Sequence, residues 1–288
     1  MPELPEVEAL AQFLTERAAG RAVAAVDIGA ISALKTVDPA PAALVGRTVT
    51  GVTRHGKWLD LATDAGPHLV WHLSRAGWVR WYDTVPATVV RPGRSPIALR
   101  LRLVGDAGGF DLTEAGTRRR VAVHVGGDPA EVALIASLGV DPLSAQLTVE
   151  ALAHLLGARN QQLKGLLRDQ RQIAGIGNAY SDEILHAARM SPFALSRSLD
   201  HDDVTRLHAV IGSVLAHALQ AAGGRPAAQL KDAKRRGMQV HGRAGLPCPA
   251  CGDTVRAVSF ADSALQYCPT CQTGGKPLAD RRMSRLLR

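Results

Sequence analysis

The stretch CPACGDTVRAVSFADSALQYCPTCQ, residues 248–272, contains all four cysteines of the 288-residue chain. Cys248 and Cys251 make one Cys-x2-Cys knuckle, and Cys268 and Cys271 make a second after 16 intervening residues. Scattered pairs would suggest disulfides, whereas one tight cluster suggests a metal. Each knuckle can bring two sulfurs to one ion, so four thiolates suit a tetrahedral, closed site for one structural Zn2+. The competing reading is four free or disulfide-bonded cysteines. The stretch between the knuckles can form a β-hairpin. A closed site orders a chain and does not catalyse, so the module is expected to present its hairpin to a partner.

Charge narrows the kind of partner. The formal net charge is +8 and the pI about 9.8, which fits a polyanion, most simply nucleic acid. Many basic proteins bind no such partner, so charge alone does not decide. Lysine occurs only at 35, 57, 164, 231, 234 and 276, so a lysine in a telling context stands out. An apolar content of 46% argues for a globular chain. No apolar run of about 18 residues occurs, so no membrane partner is expected. The first residues carry Glu3, Glu6 and Glu8 without a basic region, which does not read as a secretory signal and leads to an expected cytoplasmic location.

Texture changes along the chain. Residues 4–19 place Leu4, Val7, Leu10, Phe13 and Leu14 at helical spacing. From 22 to 125, short β-rich stretches alternate with Gly and Pro: AVAAVDIGA, TVTGVTRHG, KWLDLAT, HLVWHLS, WVRWYDTV, IALRLRLVG and VAVHVGG. That spacing predicts an antiparallel sandwich or barrel. The Leu/Arg alternation of IALRLRLV predicts one buried and one wet face. After Gly127-Asp128-Pro129 the chain reads as four helices, within LTVEALAHLLG, NQQLKGLLRDQ, NAYSDEILHAARM and LDHDDVTRLHAVIGSVLAHALQAAG, with Thr148 and Asp200 as N-caps. Residues 221–237 read as a loose, basic connection.

Two further stretches each carry two readings. MPELPEVE, residues 1–8, suits a helix start, where proline and acidic residues are favoured; the sharper reading makes the nitrogen of Pro2 a reactive group. IAGIGNAYSDEIL, 173–185, has Gly175 and Gly177 for a tight turn and Asn178 opening an amphipathic helix. Such a turn can hold a phosphate at the helix N-terminus, or it is an ordinary corner with an Asn cap.

Taken in order, PELPEVE (2–8), RHGKWL (54–59), WHLSRAG (71–77), ASLGVDPLS (136–144), AGIGNAYSDE (174–183), QVHGRAGLPCPAC (239–251) and YCPTCQ (267–272) resemble the formamidopyrimidine-DNA glycosylase/endonuclease VIII family of base-excision repair enzymes. The resemblance covers nearly the whole chain. It implies an α+β fold: an N-terminal helix plus antiparallel β-sandwich, a helical helix–two-turns–helix domain and a C-terminal β-hairpin zinc finger. The domains implied are a catalytic sandwich at 1–127, a linker at 128–146, a helical DNA-binding domain at 147–236, the finger at 237–274 and a basic tail at 275–288. It also implies a monomeric, nucleoid-associated DNA glycosylase and abasic-site lyase that removes oxidised bases from damaged DNA. Removal of Met1 would expose Pro2 as a nucleophile that forms a Schiff base with the sugar. Glu3 would then transfer protons, and Lys57 would contact phosphate and assist elimination. Asn178 would grip a backbone phosphate, and Arg243 would contact phosphate or pack beside the zinc.

The sequence departs from the family pattern in three places. Ser263 stands where the finger usually carries an arginine that supports the second elimination. Arg75 takes the place of a methionine that fills the hole left by an extruded base, and TEAGTRRRV brings Arg118, Arg119 and Arg120 with no aromatic wedge. Arginine planes can stack on bases, so Arg75, Arg118 and Arg119 are expected to contact DNA; the bland reading is a basic, solvated loop. The connection from Gly224 to Gln239 is short for the loop that covers an extruded purine. These departures motivate a second expectation, a weakly catalytic or non-catalytic binder of damaged or abasic DNA on the same scaffold.

Overall fold

Helix α1, Leu4–Ala18, starts on the first carboxylates. In the computed structural model Glu3 is its N-cap and forms a reciprocal capping box with Glu6, whose Oε2 accepts the Glu3 N–H at 2.9 Å. Pro5 lies in the first turn, where no intrahelical donor is lost. Leu4, Val7, Leu10 and Leu14 are completely buried. The structure describes residues 1–64, 66–93, 96–105, 108–115, 119–260 and 263–279. They form two units: Met1–Ser137 with Ala222–Lys231, and Leu138–Ala221 with the chain from Asp232 onward.

Among the described residues of the first unit, eight strands follow α1. They are β1 (Val23–Ile28), β2 (Val49–His55), β3 (Trp58–Thr63), β4 (Gly66–His72), β5 (Gly77–Tyr82), β6 (Ile97–Leu103), β7 (Gly109–Glu114) and β8 (Ala122–Gly126), with a short helix α2 (Ala133–Ala136) after them. They build two antiparallel four-stranded sheets, ordered β1-β6-β7-β5 and β2-β3-β4-β8. Leu59, Leu61, Leu69 and Trp71 from one sheet share a core with Leu99, Leu101, Phe110 and Leu112 from the other. The Trp71 and Phe110 rings stack across it at 5.7 Å. Of the sandwich and barrel that the strand pattern allows, the sandwich is formed.

Two sequence expectations are corrected here. Strand β7, GFDLTE, escapes the pattern because glycine and acidic residues disguise it as a loop. The alternation in β6 does not leave Arg100 wet, since it is 2% exposed, while Arg102 keeps part of its surface in solvent. The Arg100 guanidinium makes a two-pronged pair with Asp111 of β7, at 2.6 and 2.8 Å. It also donates to the carbonyls of Pro86 and Thr88, and Tyr82 Oη donates to Asp111 Oδ2 at 3.0 Å. The segment after β5 thus covers the sheet at Arg100, whose buried charge is compensated by Asp111 and two carbonyls.

The second unit contains α3 (Val149–Ala158), α4 (Leu163–Arg168), α5 (Asn178–Ala187) and α6 (His201–Ala222). Thr148 Oγ1 accepts the Ala151 N–H at 3.1 Å and Asp200 Oδ1 accepts that of Asp203 at 2.8 Å, so both expected caps act as caps. The basic connection is more ordered than its composition suggests: α7 spans Leu230–Gly237. Residues 222–231 belong with the first unit, where Ala222, Ala227 and Leu230 enter the core and Trp78 Nε1 donates to Ala227 O at 3.1 Å. The cysteine stretch forms the antiparallel hairpin β9 (Arg256–Ser259) and β10 (Ala264–Tyr267), then a short helix α8 (Pro269–Thr273). Among the described residues no helix is long and apolar enough to cross a membrane.

The Arg100–Asp111 pair gives a direct test of the sandwich. Asp111→Ala leaves a buried guanidinium uncompensated and should lower the unfolding free energy in urea by about 3–5 kcal/mol, while replacing both residues with leucine should cost much less. Equal losses for the single and double variants would show that the pairing does not set the cost.

Candidate functional site

Pro2 and Glu3 are buried at the start of α1, and Glu3 is held there by the capping box. Lys57 is the second residue of the two-residue turn that joins β2 to β3, closed by the His55–Trp58 pair. Gly56 supplies the positive φ of 58° that the first position of such a turn requires. The helix start and this turn are tied through Arg54 on β2. Its Nε donates to Glu8 Oε2 at 2.8 Å and its Nη1 to Gly56 O at 3.3 Å. Thr15 Oγ1 and the backbone of Val52 exchange hydrogen bonds of 3.0 and 2.8 Å, laying α1 along β2. The sequence elements carrying Pro2, Glu3 and Lys57 are thereby joined in one unit.

Beside Lys57 lies a histidine that neither spacing nor periodicity marks. His72 pairs with Trp58 across β3 and β4, its ring 4.9 Å from the indole. Burial and, after it, the Lys57 cation push His72 down to about 4. The Ser74 N–H donates to His72 Nδ1 at 3.2 Å, so the neutral ring carries its proton on Nε2. Asp60, 3% exposed, accepts from His68 Nδ1 at 2.7 Å and lies 3.4 Å from His55 Nε2. Burial works to raise the Asp60 carboxyl, but the two imidazoles outweigh it and hold the group below its ordinary value.

The same unit brings together the turns that carry two of the expected DNA-contacting arginines. Arg75 is exposed in the turn after β4, next to Ser74, whose φ of 54° is unusual for a residue with a side chain. The segment after β7 starts alongside: the Ala115 N–H donates to Ala76 O at 3.4 Å. The buried Glu114 closes the base of that segment by accepting from Arg120 N at 2.6 Å and Val121 N at 3.1 Å. Arg119 is exposed on it. Arg118 lies outside the described residues.

In the second unit the Gly-Asn turn is braced by Gln170. Its Oε1 accepts from Gly175 N at 2.9 Å and its Nε2 donates to Ile176 O at 2.7 Å. Gly175 has φ of 94°, which favours glycine. Asn178 opens α5 and its Nδ2 donates to Ala264 O at 2.8 Å, joining the helix to the finger hairpin. Its buried Oδ1 has no partner among the described residues. Behind the turn, Lys164 Nζ reaches Asn178 O (3.0 Å), Ser181 Oγ (2.8 Å) and Asp182 Oδ1 (2.6 Å). Asp182 Oδ2 lies 2.7 Å from His241 Nδ1. The neighbouring Glu183 accepts three backbone N–H groups, from Gln239, Val240 and His241, at 2.7–3.0 Å. Burial nevertheless raises the Glu183 carboxyl above its ordinary value. A scarce lysine inside the apolar run LKGLLR is the one sequence signal for this network. Arg243 donates to Pro247 O at 3.4 Å, within the finger.

The four cysteine sulfurs lie within 4.8 Å of one another. Cys248 and Cys271 are 3.9 Å apart and Cys251 and Cys268 3.3 Å, near the roughly 3.8 Å edge that zinc–sulfur bonds of about 2.3 Å give a tetrahedron. Burial pushes the Cys268 thiol up to about 11, so a compensating cation is what would hold it as a thiolate. The donor set fits one structural Zn2+, and Cys248 also has His186 Nε2 at 3.3 Å.

A cysteine-ordered hairpin bonded to a braced helical turn, on a strongly basic chain, defines a nucleic-acid-binding class of protein. Comparisons make this specific. The formamidopyrimidine-DNA glycosylase N-terminal domain matches residues 1–123, the formamidopyrimidine-DNA glycosylase H2TH domain residues 138–229, and the zinc finger found in FPG and IleRS residues 245–274. The formamidopyrimidine-DNA glycosylase of Thermus thermophilus is 36% identical, over 96% of this chain and 100% of the relative. An uncharacterized formamidopyrimidine-DNA glycosylase-like protein of Mycobacterium tuberculosis is 57% identical over 53% of this chain and 95% of its own. The crystal structure of the MutM (Fpg) protein from Thermus thermophilus has a TM-score of 0.80 at 32% identity, covering 96% of this chain and 100% of the other. The chain belongs to the formamidopyrimidine-DNA glycosylase/endonuclease VIII family. It is a DNA glycosylase of base-excision repair, with a finger that takes one structural zinc.

Two measurements check the local chemistry. Free His72 titrates near 6.5 and the folded residue near 4, so the unfolded chain takes the proton first as pH falls. The stability this contributes is full above about 6.5 and lost as pH falls toward 4, amounting to about 3 kcal/mol; His72→Gln should flatten that part of the profile, and an unchanged profile would contradict a half-buried neutral ring. Chelation of zinc should abolish amide protection in β9 and β10 while leaving β3 and β6 protected, and retained protection in those two strands would show that the hairpin folds without metal.

Proposed function

We propose that this glycosylase is also an abasic-site lyase, and that its nucleophile is the secondary amine of Pro2 after Met1 is removed. What supports the reading is the tie from the capped helix start, through Arg54, to the turn that carries Lys57. An α-amino group with pKa of about 7.7–8.0 has, at neutral pH, on the order of a few hundred times the free-base fraction of a lysine near 10.4. The Pro2 nitrogen lone pair forms a bond to sugar C1′ as the C1′–base bond breaks, and the base leaves with a proton. Glu3 delivers a proton to the opening ring oxygen, and the nitrogen becomes an iminium. That iminium acidifies the C2′ proton; the Glu3 carboxylate left by the previous step takes it, the C2′–C3′ double bond forms, and the C3′–oxygen bond breaks so that the phosphate departs with that oxygen, with Lys57 beside it.

Damaged DNA is the substrate on this reading, held by a monomeric protein. Asn178 and Arg243 contact its backbone, and Arg75, Arg118 and Arg119 fill the space left by the extruded base. The expected domains, from the catalytic sandwich at 1–127 to the tail at 275–288, divide the work accordingly. One observation favours a weaker enzyme: Ser263, at the family's finger-arginine position, closes the hairpin tip through its carbonyl, which accepts the Phe260 N–H at 2.7 Å. A seryl side chain there supplies no cation for a second elimination.

Sodium borohydride should trap a covalent complex between the processed protein and abasic-site DNA. Pro2→Gly, or a protein that retains Met1, should lower trapping at least about tenfold, since the nucleophile is changed or blocked. Lesion-selective binding with neither trapping nor strand scission would instead support the binder.

A further inference from the structure

Between residues 231 and 236 the chain carries Lys231, Lys234, Arg235 and Arg236 against one carboxylate, Asp232, giving +3 of the whole chain's +8. The turn of α7 that holds the two arginines is anchored on α5. Lys234 Nζ stands 4.7 Å from the centre of the Tyr180 ring, two residues beyond Asn178. Immediately after α7, Met238 and Val240 are buried, and Glu183 takes the N–H groups of residues 239–241. Arg235 and Arg236 are nonetheless exposed; among the described residues Arg235, with 82% of its side chain accessible, is paired only with the likewise solvated Asp232 at 3.7 Å. Such a pair contributes little. Cations suit a helix C-terminus, but neighbouring residues on a helix point about 100° apart, so two adjacent arginines cannot both serve the same terminal carbonyls.

We propose that Arg235 and Arg236 grip the phosphate backbone of duplex DNA, as a fixed cationic platform on α5. Guanidinium groups pair with phosphate oxygens two-pronged, and the anchoring by Lys234 and Glu183 removes part of the ordering cost of binding. The contact is with backbone, so it acts alike on damaged and intact duplex. The inference rests on the chain's being a DNA glycosylase and not on the Pro2 chemistry.

The test compares the full-length zinc-loaded protein with Arg235→Gln/Arg236→Gln and Arg235→Lys/Arg236→Lys, measuring equilibrium binding to an intact duplex and to one with a stable abasic-site analogue across a salt series. Loss of two phosphate contacts should reduce the slope of log affinity against log salt by about 1.8, so that the affinity lost between about 50 and about 200 mM salt shrinks about twelvefold. The reduction should be the same on both duplexes, and the lysine variant should keep the wild-type slope. An unchanged slope in the glutamine variant would overturn the proposal, as would a loss confined to the damaged duplex, which would assign the segment to the base. Borohydride trapping of the same proteins on a duplex with a natural abasic site separates the two readings: a protein that fails to trap yet shows the predicted salt slopes loses the Pro2 mechanism and keeps this grip.

Discussion

Two adjacent carboxylates on one helix, Asp182 and Glu183, set the arrangement of the second unit. Both are nearly inaccessible to water, at 1% and 5%, and neighbouring buried charges repel. They persist because each is compensated differently. Asp182 faces Lys164 and His241, two side chains from separate segments. Glu183 faces backbone N–H groups on the approach to the finger. Lys164 then spends its other donors on Asn178 O and Ser181 Oγ, so one cation orders the turn that opens α5. Zinc can order the finger internally, while these carboxylates, the Asn178–Ala264 bond, the His186–Cys248 contact and a bond from Gln272 Nε2 to Met190 O attach the finger to the helices.

The first unit uses an arginine for a similar purpose. Arg54 ties helix to turn through Glu8 and Gly56, and its guanidinium is itself largely buried. Loss of Arg54 would leave Glu8 without its cation and the Lys57 turn with one fewer constraint, a larger disturbance than deletion of a solvated charge. Near this turn the low basicity of His72 matters chemically. A neutral imidazole with its proton on Nε2 offers a hydrogen bond without adding positive charge beside Lys57.

Features that depend on local spacing were legible in the sequence. The two cysteine knuckles, the capped start of α1, the N-caps Thr148 and Asp200 and most strands follow from periods and intervals along the chain. Features that depend on a distant partner were not. Arg100 reads as a surface residue until Asp111, in the one strand the pattern misses, is placed opposite it. Asp182 and Glu183 read as the polar face of an amphipathic helix until His241 and its neighbours arrive from 56 to 59 positions away. The same holds for His72, which a polar label in a strand would leave wet, although Trp58 and Lys57 enclose it.

The membership of residues 222–231 in the first unit has a consequence for how the chain comes to be folded. The sandwich strands are all synthesised by residue 126, yet Ala222, Ala227 and Leu230 belong to the sandwich core. During vectorial synthesis the first unit therefore waits, with part of its apolar surface unsealed, while the whole of α3 to α6 is made. A chain halted before residue 222 has every strand of the sandwich and lacks the pieces that seal it. All four cysteines, at 248–271, follow residue 231, so the metal site can assemble only after the pieces that seal the first unit have been made.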